Sequence, residues 1–464
     1  MMENETMSQR EATSRKDVAR ESDEFSIFAA AQEAGERIAI RAQSIEYSYK
    51  QLAELVKVRI QELETVHESI RLLILTAGKN IQTVVSIFAA LQMHWPVVLV
   101  NDKLVAKERD DIERALRNIN DSLPNGCAVI LMTSGTTGEP KPVILTRHAL
   151  RASAASCAAN LALGPDDIWL MPLSPARVGG FSILTRSLAA RSCVALSGRF
   201  SGSALAAEIA STRATIVSVV PAMLAKILQD CPKWKAPTHL RCALVGGSAL
   251  PEKLWQRALD ARIPIVTTYG MTETASNIVM SPYSERYTVQ SGVGVTNPGV
   301  ECRISEGEIF VRGEMCMSGY WGRERIQPGQ WLDTGDMGEF DVEGRLHIKA
   351  RRKELIITAG ENVYPAEVER ALEEIPGIAG ARVIGGPDPV WGEVVSALLV
   401  PQDGVQVPVE VLRHEINARL SGGKRPRLYA WVESLPMTAE GKPDRSSQRI
   451  LGMQLKQLHY SVPH

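Results

Sequence analysis

The sequence predicts an α/β protein with a large N-terminal domain of parallel or mixed sheets flanked by helices, a β-rich subdomain, and a small C-terminal α+β domain. Three observations lead there. Residues 71–100 read as an apolar run, a helix-length stretch with apolar periodicity and a second apolar run, the pattern of a βαβ unit. The same alternation recurs as far as residue 268, which calls for a large sheet system with helices on its faces. Near residue 290 the segments become shorter, Gly-punctuated and alternating.

Taken in order, residues 1–24 carry 11 charges and no apolar stretch, so they predict a charged, disordered N-terminus that is neither secretory signal nor anchor. In the βαβ unit, 72–76 and 96–100 are expected as buried parallel strands and 80–91 as the crossover helix. Further strands are expected at 127–133, 168–171, 193–196, 216–220, 242–245 and 265–268. The β-rich subdomain at 291–350 holds strand-like 308–312 and 345–349, and the N-terminal domain as a whole covers 25–351. Residues 352–464 form the C-terminal domain, with strand-like 355–358, helix-like 365–374, strand-like 382–384 and 395–400, and helix-like 408–420. About a hundred residues suffice for such a domain.

Composition narrows the function. With 45% hydrophobic and 23% charged residues among 464, the chain is of ordinary globular make-up. Its 52 basic and 53 acidic residues leave a formal charge of −1, which supplies no field for a polyanion, so nucleic acid is not an expected partner. Seven widely spaced cysteines with no C-x-x-C pair predict small, reduced residues rather than a zinc cluster. No apolar run reaches the length of a membrane span, since 84–100 is broken by Gln92 and His94. The expected location is the cytoplasm, with no membrane partner, and a homo-oligomer is left open.

The strongest chemical signal is Thr133-Ser134-Gly135-Thr136-Thr137-Gly138-Glu139-Pro140-Lys141, directly after an apolar strand. Two glycines and four hydroxyls expose backbone N–H groups and side-chain donors of the kind polyphosphate oxyanions require, and Lys141 adds a mobile positive charge. The alternative is a polar surface turn. This is not a Walker loop, because Gly135 and Gly138 stand three apart and Lys141 precedes Pro142.

The loop resembles the phosphate-binding signature of the adenylate-forming superfamily of acyl- and aryl-CoA ligases, luciferases and adenylation domains. Other motifs follow in the family's order. Tyr269-Gly270-Met271-Thr272-Glu273 is similar to Y-G-x-T-E, which implies Thr272 on the α-phosphate, Glu273 on Mg²⁺ and Tyr269, with Gly270 beside it, along the adenine. Gly246-Gly247-Ser248 resembles the segment against which adenine packs. Thr334-Gly335-Asp336 resembles the T-G-D signature, implying that Asp336 accepts hydrogen bonds from both ribose hydroxyls, a role suited to a short ionised acceptor. By the same resemblance Arg351 contacts the ribose and Lys353 lies at the hinge of a mobile C-terminal lid.

The run from Ala359 to Glu369 resembles the family's G-G-E-N-x-Y-P loop and helix, which implies that Gly360 allows close approach to the pantetheine channel. Ala359 stands where a glycine is usual. The run from Pro436 to Arg445 resembles the C-terminal P-x-T-x-x-G-K-x-x-R motif, which makes Lys442 the adenylation lysine. Alone, that residue reads as a solvated surface charge. The segment 391–393 also resembles the family and carries no assigned catalytic role.

The resemblance implies ATP and Mg²⁺ as requirements, coenzyme A as co-substrate, and a small carboxylic acid converted to acyl-AMP and then to its CoA thioester. Such chemistry rests on positioning and cationic stabilisation and needs no general base. Residues 169–184 are similar to the W-L-x-x-x-P-L-x-H-V-G-G-x-S-x-L pattern of o-succinylbenzoate:CoA ligases of menaquinone biosynthesis. Arg177 replaces the histidine of that pattern, ahead of Gly179 and Gly180. Arg177 either pairs with a carboxylate of a dianionic aromatic acid or turns to solvent. His148 either lines the pocket or caps its own helix. Two other readings stay open: a ligase for another aryl or fatty acid or for a carrier protein, and a catalytically impaired nucleotide-binding homologue.

Overall fold

The computed structural model describes residues 24–66, 72–104, 106–117, 119, 121–133, 141–358, 361–388, 392–420, 422–437, 444 and 455–458. It divides into two compact units. One comprises the described residues up to Glu301 together with Arg312–Leu332, the other Cys302–Val311 together with those from Asp333 onward.

The first unit contains strands β1 (Ile38–Ala42), β2 (Ile45–Ser48), β3 (Leu73–Ala77), β4 (Val97–Asn101), β5 (Cys127–Thr133), β6 (Lys141–Thr146), β7 (Ile168–Met171), β8 (Cys193–Leu196), β9 (Ile216–Val219), β10 (Cys242–Val245), β11 (Ile265–Met271), β12 (Ser276–Met280) and β13 (Val295–Thr296). They form a nine-stranded sheet in the order β13-β12-β11-β10-β9-β7-β8-β1-β2 and a four-stranded sheet in the order β3-β4-β5-β6. The expected βαβ unit is present. Strands β3 and β4 are parallel, and helix Ile81–Gln92 crosses between them with Thr83 to Leu91 buried. A helix buried over most of its surface needs apolar residues on most faces; the two buried polar side chains here are satisfied, Thr83 accepting from the Gly78 N–H and Ser86 from Arg59 Nε. Its start is set by Asn80, whose side chain accepts from the Thr83 N–H at 2.9 Å.

Several elements differ from expectation. Strand β11 runs on through Tyr269, Gly270 and Met271 because β12, which the sequence pattern does not announce, pairs with it antiparallel. The hairpin turn between them is the 3₁₀ segment Thr272–Thr274. The β1–β2 hairpin and helix Tyr49–Val66 likewise belong to a stretch with no clear periodic signal.

The second unit contains most of β14 (Val300–Ser305), β15 (Glu308–Gly313) and β16 (Leu332–Phe340) and all of β17 (Leu346–Arg351), which form one sheet in that order. Its other sheet is built from β18 (Ile356–Thr358), β19 (Glu361–Val363), β20 (Ile378–Asp388), β21 (Gly392–Pro401), β22 (Leu428–Trp431) and β23 (Lys456–Gln457). Val368 and Leu372 of helix Pro365–Glu373 and Leu412 and Ile416 of helix Val409–Arg419 share a core with Val383, Val395 and Leu399. Strand β20 is far longer than the three residues expected, since antiparallel pairing with β21 along Ile378 to Asp388 carries it through Gly380, Gly385 and Gly386.

Candidate active site

Strand β5 ends at Thr133, which pairs in register with Lys141 at the start of β6; the Thr133 hydroxyl donates to the Lys141 carbonyl at 3.3 Å. The two ends of the expected phosphate loop are therefore clamped opposite one another. Ser134, Gly135, Thr136, Thr137 and Gly138 lie outside the described residues, as do Gly360 and Lys442.

Gly246 and Gly247 follow β10. A Cβ on Gly246 would stand 2.3 Å from the Thr268 hydroxyl, and Gly247 has φ +84°. Both positions require glycine, the first for close approach and the second for its backbone conformation. Ser248 is half-buried beside them.

The turn after β11 is the most constrained part of the first unit. A Cβ on Gly270 would lie 1.9 Å from the Ser276 carbonyl, so the two hairpin strands touch there. Thr274 accepts from the Met271 N–H at 3.1 Å and donates to the Ser276 carbonyl at 2.8 Å. Ala275 and Ser276 hold φ of +49° and +101°, strain that the surrounding contacts must overcome. One such contact is the Ser153 hydroxyl, which donates to the Ala275 carbonyl at 2.8 Å and accepts from Arg186 Nη2 at 2.9 Å. Arg186 is only 2% exposed, and burial pulls its pKa down.

Within this turn Thr272 is half-buried and Glu273 is 7% exposed. Glu273 Oε1 accepts from the Tyr320 hydroxyl at 2.8 Å, and its main-chain carbonyl accepts from the Met317 N–H at 2.8 Å. Lys141 Nζ sits 5.3 Å from the centroid of the same tyrosine ring. Among the described residues Glu273 makes no ion pair, and no cluster of three metal-ligating side chains occurs. A single available carboxylate oxygen fits Mg²⁺, which keeps several waters and is bound through one or two carboxylates plus substrate phosphates.

In the second unit Asp336 on β16 and Arg351 on β17 are register partners, with Arg351 Nε 2.9 Å from Asp336 Oδ1. Asp336 is 4% exposed. The Thr334 hydroxyl accepts from the Asp336 N–H at 3.1 Å and donates to the Ile309 carbonyl at 2.8 Å, while Gly335 turns the chain with φ +70°. Lys353 is exposed in the short 3₁₀ segment Arg352–Glu354 after β17.

Arg177 is the N-cap residue of helix Val178–Ala190 and makes no side-chain cap bond; its carbonyl accepts from Gly180 and Phe181. A Cβ on Gly180 would meet the Ser174 carbonyl at 2.1 Å, whereas one on Gly179 would come no nearer than 3.2 Å to Leu173 Cδ1. Gly180 is thus required by packing at the helix entry. His148 does not cap its helix: Thr146 does, accepting from the Ala149 N–H at 3.1 Å, and His148 lies exposed 3.5 Å from Glu314.

Sequence reasoning singled out neither Tyr320 nor Arg186. The first is 47 positions from Glu273 along the chain, and the second reads from sequence as an ordinary surface cation. Cys127 and Cys242 are buried and free, with their thiol pKa values raised to about 12 chiefly by desolvation. That matches small inert residues rather than nucleophiles.

The family described as "AMP-binding enzyme" matches residues 106–321, and "AMP-binding enzyme C-terminal domain" matches 367–442. A protein of Bacillus thuringiensis subsp. konkukian named 2-succinylbenzoate–CoA ligase is 36% identical over 346 residues, 71% of this chain and 69% of that protein. Among solved structures, o-succinylbenzoate CoA synthetase (MenE) of Bacillus subtilis in complex with its acyl-adenylate intermediate superposes with TM-score 0.81 at 29% identity, covering 94% of this chain and 99% of that one. The same enzyme with ATP and a magnesium ion gives TM-score 0.80 at 30% identity, covering 91% and 98%.

Proposed function

Because the chain belongs to the AMP-binding enzyme family, we propose that it is an AMP-forming ligase that activates a carboxylic acid as its acyl-adenylate and passes the acyl group to coenzyme A. The acid in this reading is 2-succinylbenzoate, converted to 2-succinylbenzoyl-CoA for menaquinone biosynthesis. Support for the acid comes from the relatives of that name at 36% identity. The observation that carries the chemistry is the placement of the Lys141 ammonium over the ring, and of the buried Glu273 carboxylate at the hydroxyl, of one tyrosine, Lys141 itself standing at one clamped end of the phosphate loop.

In this reading Lys141 and the loop 133–138 bind the phosphate oxyanions, and Thr272 meets the α-phosphate. Glu273 together with the phosphates would hold Mg²⁺, which would supply positive charge against that spread over the equatorial oxygens. Gly246, Gly247, Ser248, Tyr269 and Gly270 take the adenine, and Asp336 and Arg351 the ribose. The C-terminal domain 352–464 turns about Lys353 as a lid, bringing Lys442 to the acid's carboxylate and Gly360 to the pantetheine. The work of these residues is binding, orientation and charge compensation. We place the reaction in the cytoplasm, with no nucleic acid or membrane partner. Among the described residues no helix is long and apolar enough to cross a membrane.

The test is acid-dependent ATP–pyrophosphate exchange over a panel of aromatic and fatty acids, with mass detection of the CoA product. The expected result is highest kcat/KM for 2-succinylbenzoate and a CoA thioester. Preference for another acid, or transfer only to a carrier protein, overturns the substrate; ATP binding with no exchange for any acid overturns the enzyme reading. Arg177→Ala should raise KM for the acid about tenfold with KM for ATP unchanged, as loss of a charge-assisted pair implies. An unchanged KM for the acid removes Arg177 from the pocket.

A further inference from the structure

We propose that Tyr320 is a positioning residue for adenylation, one that orients Glu273 for the metal delivered with ATP and holds Lys141 away from that carboxylate until the nucleotide arrives. The proposal deepens the ligase reading and rests on it.

Tyr320 is fixed by its backbone rather than by chance contact. The Ser318 N–H donates to the Ile144 carbonyl at 3.1 Å, the Ile144 N–H to the Gly319 carbonyl at 3.0 Å, and the Trp321 N–H to the Pro142 carbonyl at 2.9 Å. Val143 and Tyr320 thereby form an isolated antiparallel bridge, which ties residues 318–321 to the beginning of β6. Gly319, with φ +124°, and Gly322, with φ +80°, shape the chain on either side of the ring. One residue further along β6 from this bridge, toward the loop, come Pro142 and then Lys141.

The Met317 N–H, on the same segment, binds the Glu273 carbonyl. A single stretch of chain therefore braces both the strand that carries Lys141 and the turn that carries Glu273.

The side chain uses its two chemically different parts. The hydroxyl donates to Glu273 Oε1, which fixes the carboxylate's rotation and leaves Oε2 as its oxygen for a hard cation. The ring face lies under Lys141 Nζ, and a tyrosine face attracts an ammonium without neutralising it. Lys141 and Glu273 make no ion pair with each other among the described residues. A direct pair would occupy the carboxylate with an ammonium and would have to be broken before metal could bind. Resting the lysine on an aromatic face keeps both charges available.

Two variants separate the two roles. Tyr320→Phe keeps the ring and removes the hydroxyl, and Tyr320→Leu removes both. The primary readout is binding, by calorimetry on the full chain, of ATP with Mn²⁺ and of ATP with metal removed by EDTA. Tyr320→Phe should weaken Mn²⁺–ATP binding roughly five- to tenfold, the scale of one hydrogen bond to a charged group, and leave metal-free ATP binding within twofold. Tyr320→Leu should weaken Mn²⁺–ATP binding further, because Lys141 is then free to close on Glu273. In pyrophosphate exchange the Mg²⁺ half-saturation should rise by the same factor for Tyr320→Phe, with excess metal recovering most of the rate.

Equal weakening with and without metal overturns the orienting role, and equal effects of Phe and Leu overturn the resting role. Circular dichroism and melting curves matched to wild type establish that both variants fold. If wild type shows no exchange with any acid, the ligase reading fails by itself, and the metal dependence of nucleotide binding still decides whether Tyr320 orients Glu273.

Discussion

Each unit of the molecule carries one deeply buried carboxylate in a motif to which we assign nucleotide binding, and the two are treated in opposite ways. Asp336 has a guanidinium 2.9 Å from its Oδ1, supplied by its register partner Arg351. Glu273 has a neutral phenol instead and makes no ion pair among the described residues. Burying a charge is costly unless it is paired, so the different partners imply different uses. The proposed roles fit this contrast: a carboxylate that accepts from two ribose hydroxyls is best compensated within the protein, and one that takes a metal is best left with a neutral donor, so that the metal would supply the missing positive charge.

The sharpest way to break this contrast is Glu273→Gln, which removes the metal-facing charge and leaves the shape. Its expected cost is about 10²–10³ in kcat for pyrophosphate exchange, the scale of losing a positioned electrostatic stabiliser, with no recovery at high Mg²⁺. Recovery at high Mg²⁺ would place the metal elsewhere. Asp336→Asn is the matching change in the other unit and should act mainly on binding. KM for ATP should rise roughly tenfold, and discrimination against 2′-deoxyATP should fall, since charge-assisted hydrogen bonds are about twice as strong as neutral ones. Equal discrimination before and after would take Asp336 off the ribose.

A third carboxylate sharpens the comparison from outside the motifs. Asp167 is paired with Arg241 at 2.6 Å and accepts from the Gly164 N–H and the Thr215 hydroxyl. Burial pushes its carboxyl up, but the Arg241 guanidinium and these two donors outweigh it and hold the pKa below the usual range. A depressed folded pKa contributes stability that is present above the unfolded value and is lost as pH falls through the folded one, here below about pH 4. Asp167→Asn should therefore lower Tm at pH 7 and flatten the decline of Tm between pH 5 and pH 3. An unchanged decline would mean that the pair contributes nothing to acid unfolding.

The smallest effect expected is at Gly335. Its φ of +70° disfavours any other residue, yet a Cβ there would meet nothing closer than Arg351 Nη1 at 4.0 Å. Gly335→Ala should cost about 1–2 kcal/mol of stability, the strain of one left-handed residue, visible as a Tm shift of a few degrees. A much larger loss would mean that the T-G-D turn is packed as tightly as the hairpin at Gly270, where a Cβ has no room at all.

Much of the fold was legible locally. The βαβ unit around Ile81–Gln92 and the short strands of the large sheet announce themselves because buried parallel strands are continuous apolar runs. Strand β12 did not, because its pairing partner, not its own composition, makes Ser276–Met280 extended. Strand β20 read as three residues for the opposite reason, its glycines breaking an apolar pattern that pairing with β21 holds straight. His148 illustrates the limit for single residues: Thr146, two positions earlier, was the better cap, and only the hydrogen bond decided between them.

By itself the sequence determined which chemical groups are present and in what order: a hydroxyl- and glycine-rich loop after a strand, the Thr272–Glu273 and Thr334–Asp336 motifs, and the glycines that a close approach or a positive φ demands. Those are properties of neighbouring residues, and short-range sterics and hydrogen bonding are written in short stretches of chain. Only the tertiary structure decided which partner each buried charge received. Tyr320 reaches Glu273, Arg351 reaches Asp336 and Arg186 reaches the brace at Ser153 through strand pairing and helix packing. Such contacts join residues far apart in sequence, and the compensation of a buried charge depends on distances of a few ångströms that no local pattern encodes.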